Sequence, residues 1–252
     1  MSRSKARPDN ALKHGILLLA TFLALVPSIF MILTSLKSQD EYTFNKVGLP
    51  QALVLDHFKS ILFDSPLFDW MGNSAILAGG AVLLSTVVSC LGAYAIAMMR
   101  FRGRSLLFSV STALMAVPPV VMIVPLFVLY TQLDLISTFR GTIVIYAGLI
   151  TPFSVYLLTT FFRTLPKELF EAARIDGAGD FLILWRIVLP LSLPALLTLV
   201  VVNALYVWND LLIAVLFLQD DAKRTLMAGI SVFQGRYENQ IPLVMAGMVI
   251  AS

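Results

Sequence analysis

The chain of 252 residues has few of the residues that metal binding and disulfide formation require. It contains one cysteine, Cys90, and two histidines, His14 and His57. An internal disulfide and a histidine-rich metal site are therefore both excluded. Charged residues make up only 13% of the chain, which is about half the share of a typical soluble domain. These shortages argue against an ordinary soluble enzyme.

Apolar residues, in contrast, are in excess. They make up 58% of the chain, and the mean hydropathy is +0.87. A water-soluble core of this composition would leave too little polar surface to cover it. Composition therefore predicts a multi-pass membrane protein. The charges lie in short loops and form no basic stripe with interleaved aromatic residues, so no nucleic-acid partner is expected.

Apolar runs long enough to cross a membrane occur along the whole chain. A hydrocarbon core of about 30 Å needs about 20 helical residues. Five runs reach this length: 15–36, 75–99, 106–130, 142–162 and 191–218. A sixth begins near Pro242 and stops at Ser252, which is too short to cross. We expect an all-α membrane protein of six transmembrane helices whose last helix is truncated, with the third run bent by Pro118, Pro119 and Pro125.

The distribution of lysine and arginine predicts the orientation. Eleven of these residues lie in the N-terminal tail, in the loop after the second run and in the loop after the fourth, whereas seven lie in the alternate segments. Positive residues accumulate on the cytoplasmic side of short loops. We therefore expect a cytoplasmic N-terminal tail, residues 1–14, followed by a transmembrane domain, residues 15–252, that includes a cytoplasmic loop at 163–190.

The loop at 163–190 is too long for a tight turn and begins with a helical pattern. Thr164 and Pro166 are typical of a helix start. Lys167, Glu171 and Arg174 then follow at the spacing that places side chains on one helix face. A small, charged helix of this kind suits docking into a groove on another protein.

A turn and a second helix are predicted to follow in the same loop. Gly177 permits the positive φ of a left-handed turn where the first helix ends. Asp180 is expected to cap the second helix, and Pro190 is expected to end it and to lead into the fifth span. The predicted product is a short helix-turn-helix at the inner face of the membrane.

The same loop resembles a known motif. It contains Glu171-Ala172-Ala173, three residues, Gly177, nine residues, Ile187, one residue, and Leu189-Pro190. This spacing resembles the EAA loop of binding-protein-dependent ABC importer permeases of the MalG-like carbohydrate family. Asn73-Ser74, Pro125-Leu126-Phe127 and Trp208-Asn209-Asp210 are also similar to that family.

The resemblance implies a non-catalytic permease subunit in the bacterial inner membrane. It implies a second, homologous permease, two ATPase subunits, and a periplasmic or lipid-anchored solute-binding protein that delivers a carbohydrate. Because the chain has no G-x-x-x-x-G-K-[ST] motif, ATP and magnesium are expected in the ATPase and no cofactor or metal in this chain. Residues implied for ATPase coupling are Glu171, Ala172, Ala173, Asp176, Gly177 and Pro190.

The fifth span carries the candidates for a substrate path. They are Asn203, Tyr206, Asn209 and Asp210. Asn203, Tyr206 and Asp210 have a spacing that can place them on one face, although a structural hydrogen bond between helices is the favoured role of Asn203. An ionisable residue within a span marks function more often than not. The alternative hypothesis is therefore an ion-coupled secondary transporter that uses Asp210.

Overall fold

The computed structural model describes residues 8–236 and 240–251, with side chains described for 13–232 and 240–251. All regular structure in these ranges is helical, as the sequence predicts. The helices are α1 (Pro8–Ser35), α2 (Gln39–Phe44), α3 (Asp56–Phe63), α4 (Leu67–Met98), α5 (Arg104–Leu114), α6 (Pro119–Gln132), α7 (Phe139–Phe162), α8 (Lys167–Ile175), α9 (Asp180–Ile183), α10 (Leu189–Leu191), α11 (Leu193–Asn209), α12 (Leu212–Phe217), α13 (Leu226–Arg236) and α14 (Ile241–Ala251). A π-helical turn, Leu184–Val188, joins α9 to α10.

Within the described residues, three helices are long and apolar enough to cross a membrane by themselves. They are Lys13–Ser35 within α1, the whole of α4, and α7. Two pairs reach the required length together but are sharply bent: α5 with α6 at 99°, and Asp180–Leu191 with α11 at 78°. Counting each bent pair as one span gives five, the number of complete spans that the sequence predicts. The helix α14 is apolar but has only 11 residues.

The first helix begins earlier than predicted. The predicted tail covers residues 1–14, of which residues 1–7 lie outside the described part of the chain. Helix α1 starts at Pro8 and runs without interruption to Ser35, so the helix extends back into the predicted tail, while its membrane-length apolar part is Lys13–Ser35. Proline suits the first position of a helix because its φ is already helical and that position needs no N–H donor. Half of the predicted tail is therefore helical.

The third span contains the bend that its prolines predict. Helix α5 ends at Leu114, and α6 begins at Pro119 after Pro118, whose ψ of 131° is extended. A proline disfavours helical geometry at the residue before it, so Pro119 forces Pro118 out of the helix. Pro125, in contrast, lies inside α6, which continues through it. The bend therefore comes from the consecutive prolines.

The fifth span is broken where a continuous helix was predicted. Helix α11 ends at Asn209, Asp210 is extended with a ψ of 129°, and α12 begins at Leu212. The Asp210 carboxylate accepts a hydrogen bond of 2.9 Å from the N–H of Ile213. Aspartate competes for backbone donors in this way and favours the start of a helix over its interior. The prediction that Asp210 lies within a helix is therefore wrong.

The chain divides into two compact units. In the described part of the chain the first comprises residues 8–68, 229–236 and 240–251, and in it α1 packs against α14. After α1, the Lys37 side chain is 1% exposed and its Nζ donates to the carbonyl oxygens of Asn45 at 2.6 Å and Lys46 at 3.3 Å. A buried cation needs such partners, so these bonds fix the segment after α1.

The second unit, Asp69–Ala228, buries two apolar clusters with a polar band between them. One cluster includes Leu77, Tyr146, Val207 and Phe217, and the other includes Ala93, Leu158, Phe162 and Leu199. Along α4, α7 and α11 the residues between the clusters are Ser85, Ser154 and Asn203, all buried. Apolar packing on both sides of the hydrogen-bonded polar band therefore aligns the three helices.

Replacing Gly141 by alanine should destabilise the α6–α7 connection. A Cβ at Gly141 would lie 2.7 Å from the Leu135 carbonyl oxygen and 3.0 Å from Thr138 Oγ1. Backbone atoms cannot move aside cheaply, so we expect a loss of about 1 to 3 kcal/mol in the free energy of unfolding.

The matched control is Gly148→Ala in the same helix, because a Cβ there meets nothing within 4 Å. Alanine favours helix over glycine by about 1 kcal/mol, so this variant should melt no lower than the parent protein. Thermal unfolding of the detergent-solubilised proteins measures both effects. Equal melting temperatures for the two variants would contradict the packing described for Gly141.

Candidate functional site

Helix α8 lies across an apolar cluster and leaves its charged face open. Phe170 is 5% exposed and belongs to the cluster that contains Leu158 and Phe162 of α7. Ala173 packs against the same cluster, whereas Glu171 is exposed. Burying a phenylalanine contributes about 1.5 to 3 kcal/mol, so this contact fixes which face of α8 points outward.

The start of α8 follows the predicted proline. Pro166 has an extended ψ of 127° and immediately precedes Lys167. Thr164 does not cap the helix, because Pro166 holds the cap position and no side-chain cap bond is formed there; the Thr164 hydroxyl donates to the Phe161 carbonyl oxygen at 2.7 Å. Glu168, in the first turn, places a negative charge near the positive end of the helix dipole.

Gly177 ends α8 in the predicted left-handed conformation, with a φ of +83°. The N–H of Gly177 donates to the Arg174 carbonyl oxygen at 3.0 Å, and the N–H of Ala178 donates to the Ala173 carbonyl oxygen at 2.9 Å. These two bonds form the Schellman arrangement of a helix C-terminus. A side chain at residue 177 would be strained by the positive φ, which accounts for the glycine.

Asp180 joins three helices instead of capping one, so the predicted cap is wrong. Gly179 is the residue before α9, and its extended ψ is 161°. The Asp180 carboxylate accepts hydrogen bonds of 3.0 Å from the Arg174 guanidinium of α8 and 3.0 Å from the Tyr94 hydroxyl of α4. The carboxylate raises the pKa of Arg174 above its ordinary value. The sequence contains no local signal for Tyr94, which is distant in the chain.

Pro190 does not end the second helix of the loop. The helix that starts at Asp180 continues through the π-helical turn Leu184–Val188 to Leu191, and the 78° bend falls at Ser192. In the turn, the N–H of Leu189 bonds to the Leu184 carbonyl oxygen, five residues back. Proline has no N–H and its ring crowds the preceding turn of an α-helix. The wider π register relieves that crowding.

The residues predicted for coupling differ in exposure. Ala173 is partly buried against the apolar cluster. Exposed members of the set are Glu171, Ala172, Asp176, Gly177 and Pro190. Lys167, Glu171 and Arg174 share one face, as predicted, and all three line a single cavity of about 370 Å³. The structure therefore presents charge and small side chains together on the outer surface of α8.

Asn203 has the structural role that the sequence favours. Its side chain is 2% exposed, and its amide donates to Ser154 Oγ at 2.8 Å. Ser85 Oγ lies 3.4 Å from the same hydroxyl and 3.0 Å from the hydroxyl of Thr151. These bonds satisfy polar groups that would otherwise be costly inside a membrane.

The other candidates for a substrate path do not form one group. Tyr206 is 42% exposed and, with Asn203, lines a largely apolar cavity of about 620 Å³ between α5, α6, α7 and α11. The Asn209 amide donates to the carbonyl oxygen of Leu205 in its own helix at 2.8 Å. Asp210 does not line the cavity, and its carboxylate accepts a bond of 2.8 Å from the Tyr146 hydroxyl. The sequence did not reveal this role of Tyr146.

Asn73 and Ser74 anchor the start of α4. The Asn73 amide donates to the carbonyl oxygens of Ala222 at 3.0 Å and Arg224 at 2.9 Å. Ser74 Oγ accepts a bond of 2.9 Å from the N–H of Leu226. Together they hold the segment before α13. Within the part of the chain that the structure describes, no cluster of histidine, cysteine and acidic residues can hold a metal ion.

A protein-family model decides the identity. The model for binding-protein-dependent transport system inner membrane components matches residues 85–252. The chain belongs to this family. It is a multi-pass permease of an ABC importer in the inner membrane and a transport subunit with no catalytic role. The alternative of an ion-coupled secondary transporter is therefore wrong.

Known relatives of the permease cover nearly its whole length. One relative is the putative ABC transporter permease protein ORF2 of Caldicellulosiruptor sp.. The two sequences are 36% identical, and the match covers 92% of this chain and 84% of the relative. A second relative is the arabinooligosaccharides transport system permease protein AraQ of Halalkalibacterium halodurans. It is 32% identical, and the match covers 91% of this chain and 83% of the relative. The melibiose/raffinose/stachyose import permease protein MelC of Bacillus subtilis is 32% identical over 90% of this chain and 82% of its own length.

Two solved structures share the fold. The crystal structure of a bacterial ABC transporter that imports the acidic polysaccharide alginate has a TM-score of 0.81 and 25% identity, and the match covers 99% of this chain and 94% of that one. A bacterial alginate ABC transporter in complex with an alginate pentasaccharide-bound periplasmic protein has a TM-score of 0.70 and 17% identity, over 96% of this chain and 91% of that one. The permease fold predicted from the sequence is confirmed.

Removing the charge of Asp180 should loosen the attachment of α8. Asp180→Asn keeps an oxygen that can accept from Tyr94 but loses the ion pair with Arg174. The two side chains are 43% and 49% exposed, and such pairs contribute about 0.2 to 1 kcal/mol. We therefore expect amide exchange in residues 167–183 to quicken by up to about fivefold, as measured by hydrogen-exchange mass spectrometry.

Asp176→Asn is the matched control for this measurement. Asp176 is exposed, and among the described residues no hydrogen bond or ion pair involves its carboxylate. In this variant the rate of amide exchange in residues 167–183 should equal that of the parent permease. If Asp180→Asn also left the exchange unchanged, the contact with Arg174 would not hold the loop together.

Proposed function

We propose that the permease imports a carbohydrate and that α8 receives the motion of a separate ATPase. The observation that carries this proposal is the geometry of α8, whose exposed face presents Glu171 and Ala172 while Phe170 is buried beneath it. A helix transmits a rigid-body displacement only if it is attached to the parts that must move. Phe170 and the Asp180 contacts provide that attachment.

Glu171 is the proposed contact with the ATPase. Among the described residues it forms no ion pair within the chain, and it is exposed. A carboxylate with no internal partner can form a charge-assisted hydrogen bond with a basic group of another subunit. The neighbouring Ala172 has a small side chain, so a partner can approach the helix closely there. The turn at Gly177 limits how far the loop extends. Asp176 and Pro190 remain candidate contacts on the same loop.

The proposed assembly contains two permeases, two ATPases and a solute-binding protein. The second permease is homologous to this chain, and the ATPases bind ATP and magnesium. A periplasmic or lipid-anchored binding protein delivers the solute, and the surrounding lipid covers the apolar helices. The excess of lysine and arginine on one side of the chain supports a cytoplasmic N-terminus and a cytoplasmic α8.

The proposed cargo is a sugar, an oligosaccharide or a glycerol phosphate type of compound. The relatives described above carry names that refer to arabinooligosaccharides and to melibiose, raffinose and stachyose. A sulfoquinovosyl glycerol permease of Agrobacterium fabrum is also 32% identical over 90% of this chain. These names support a carbohydrate class without selecting one member of it.

The cavity beside Tyr206 is the proposed contribution of this subunit to the substrate path. Its volume of about 620 Å³ is within the range of ligand pockets, which are mostly apolar with a few polar groups. Tyr206 offers both an apolar ring and a hydroxyl. Asn203 lies at the same cavity but its amide is engaged with Ser154, so Tyr206 is the stronger candidate.

Reversing the charge of Glu171 tests the coupling proposal. In proteoliposomes that contain the assembled transporter, Glu171→Arg should leave subunit assembly intact. It should reduce transport-coupled ATP hydrolysis at least tenfold, because an arginine repels the basic group expected on the ATPase. A phosphate-release assay and size-exclusion chromatography measure the two properties.

Glu168→Arg is the matched control, since Glu168 is exposed on the same helix but does not line the cavity beside Glu171. It should keep most of the activity. Equal losses in both variants would show that the net charge of α8 matters and not the contact of Glu171. Normal coupling in Glu171→Arg would refute the proposed contact.

Substitutions of Tyr206 and Asn203 should separate a transport role from a structural one. Tyr206→Ala removes a half-exposed ring, so we expect slower uptake at an unchanged melting temperature. Asn203→Ala removes a buried interhelical bond, which costs about 0.6 kcal/mol and at most about 1.7 kcal/mol in membranes. Uptake of radiolabelled raffinose and arabinotriose, together with thermal unfolding, provides the measurement. Unaltered uptake of every transported sugar in Tyr206→Ala would remove this cavity from the path.

A further inference from the structure

A second cavity, separate from the proposed substrate path, is lined mainly by basic side chains. Its volume is about 370 Å³, and it lies between the C-terminal ends of α4 and α7, the start of α5, and α8. The basic residues that line it are Arg100, Arg104, Arg163, Lys167 and Arg174. The one acidic residue that lines it is Glu171. The cavity is therefore surrounded by an excess of positive charge.

Only one of these cations has a carboxylate partner among the described residues, namely Arg174, which pairs with Asp180. The Arg104 guanidinium donates to the Met99 carbonyl oxygen at 3.3 Å, and the Arg163 guanidinium lies 4.6 Å from the centre of the Phe108 ring. These contacts orient the two side chains but leave their charges uncompensated. Like charges around one cavity repel each other, and a bound anion relieves that repulsion.

The surface next to the cavity is apolar. Helix α5 begins at Arg104, and three of its side chains that do not line the other cavity are exposed by 47 to 67%. They are Leu106, Leu107 and Val110. A free inorganic anion gains nothing from such a surface, whereas a lipid has a charged headgroup for the cavity and acyl chains for the helix. Basic pockets between helices on the cytoplasmic side are suited to lipid phosphates.

We propose that this cavity binds the phosphate headgroup of an anionic membrane lipid whose acyl chains lie along α5. Arg100 and Arg104 contact the phosphate from the α4–α5 loop, and Lys167 contacts it from α8. The lipid thereby connects the ends of the transmembrane helices to the helix proposed for coupling. Its placement in the inner leaflet rests on the proposed cytoplasmic orientation, but its binding does not require transport.

Lipid retention tests the proposal directly. The full chain, with the partner subunits that copurify with it, is reconstituted in nanodiscs of phosphatidylcholine with increasing phosphatidylglycerol. Bound phosphatidylglycerol is then measured by native mass spectrometry. We expect each basic residue that contacts the phosphate to contribute about fivefold in affinity, so Arg100→Gln/Arg104→Gln should bind about 25-fold more weakly. Lys167→Gln, on a separate helix, should bind about fivefold more weakly and serves as a second variant.

Arg102→Gln is the matched control, because Arg102 lies in the same loop but does not line the cavity. It should retain phosphatidylglycerol like the parent protein. An equal loss in Arg102→Gln would mean that the loop attracts anions without a defined site, and would overturn the proposal. Unchanged retention in the double variant and in Lys167→Gln would overturn it as well.

Two competing occupants give different results. If inorganic phosphate displaced the lipid at millimolar concentration, the site would be one for free anions and the proposal would fail. If an acidic segment of the ATPase filled the cavity, charge-removing variants would weaken subunit assembly and leave lipid retention unchanged, which also overturns it. Lipid retention and coupled ATP hydrolysis are separate measurements. The lipid proposal can therefore fail while the Glu171→Arg result supports coupling, and the coupling proposal can fail while lipid is retained.

Discussion

The burial of Phe170 is the contact on which the proposed coupling mechanism depends. The side chain is 5% exposed among residues of α4, α7 and the segment after α8, and such burial contributes about 1.5 to 3 kcal/mol. The exposed ion pair between Arg174 and Asp180 contributes less than about 1 kcal/mol. Apolar packing therefore holds α8 to the membrane domain, and the ion pair adjusts its orientation. Glu171 can point outward because the opposite face of its helix is fixed.

The polar band inside this apolar protein fixes the positions of the long helices along one another. Ser85, Ser154 and Asn203 lie between two apolar clusters on α4, α7 and α11. In hydrocarbon an unsatisfied amide is costly, so the bond between Asn203 and Ser154 disfavours sliding of α11 along α7. The apolar clusters account for most of the buried side chains, and the polar band fixes the register of the helices against one another.

Features determined by neighbouring residues were predictable from the sequence, whereas features determined by distant contacts were not. The positive φ of Gly177 and the bend before Pro119 follow from the local geometry of glycine and proline. Asp180 was expected to cap α9 because local spacing favours it, but Arg174 and the distant Tyr94 compete for its carboxylate. The break at Asp210 has a local and a distant component, since its carboxylate accepts from the nearby N–H of Ile213 and from the distant Tyr146 hydroxyl.

The π-helical turn before Pro190 has a consequence for the length of the loop. The buried residues Ile183 and Val188 are five positions apart, whereas an α-helix brings residues three or four apart onto one side. The segment therefore contains one residue more than a regular helix would need. Deleting that residue would restore a regular α-helix in which Ile183 and Val188 are four apart and still on one side, but it would return the Pro190 ring to the crowding of an α-helical turn. The extra residue therefore allows a proline inside this helix without changing which of its sides is buried.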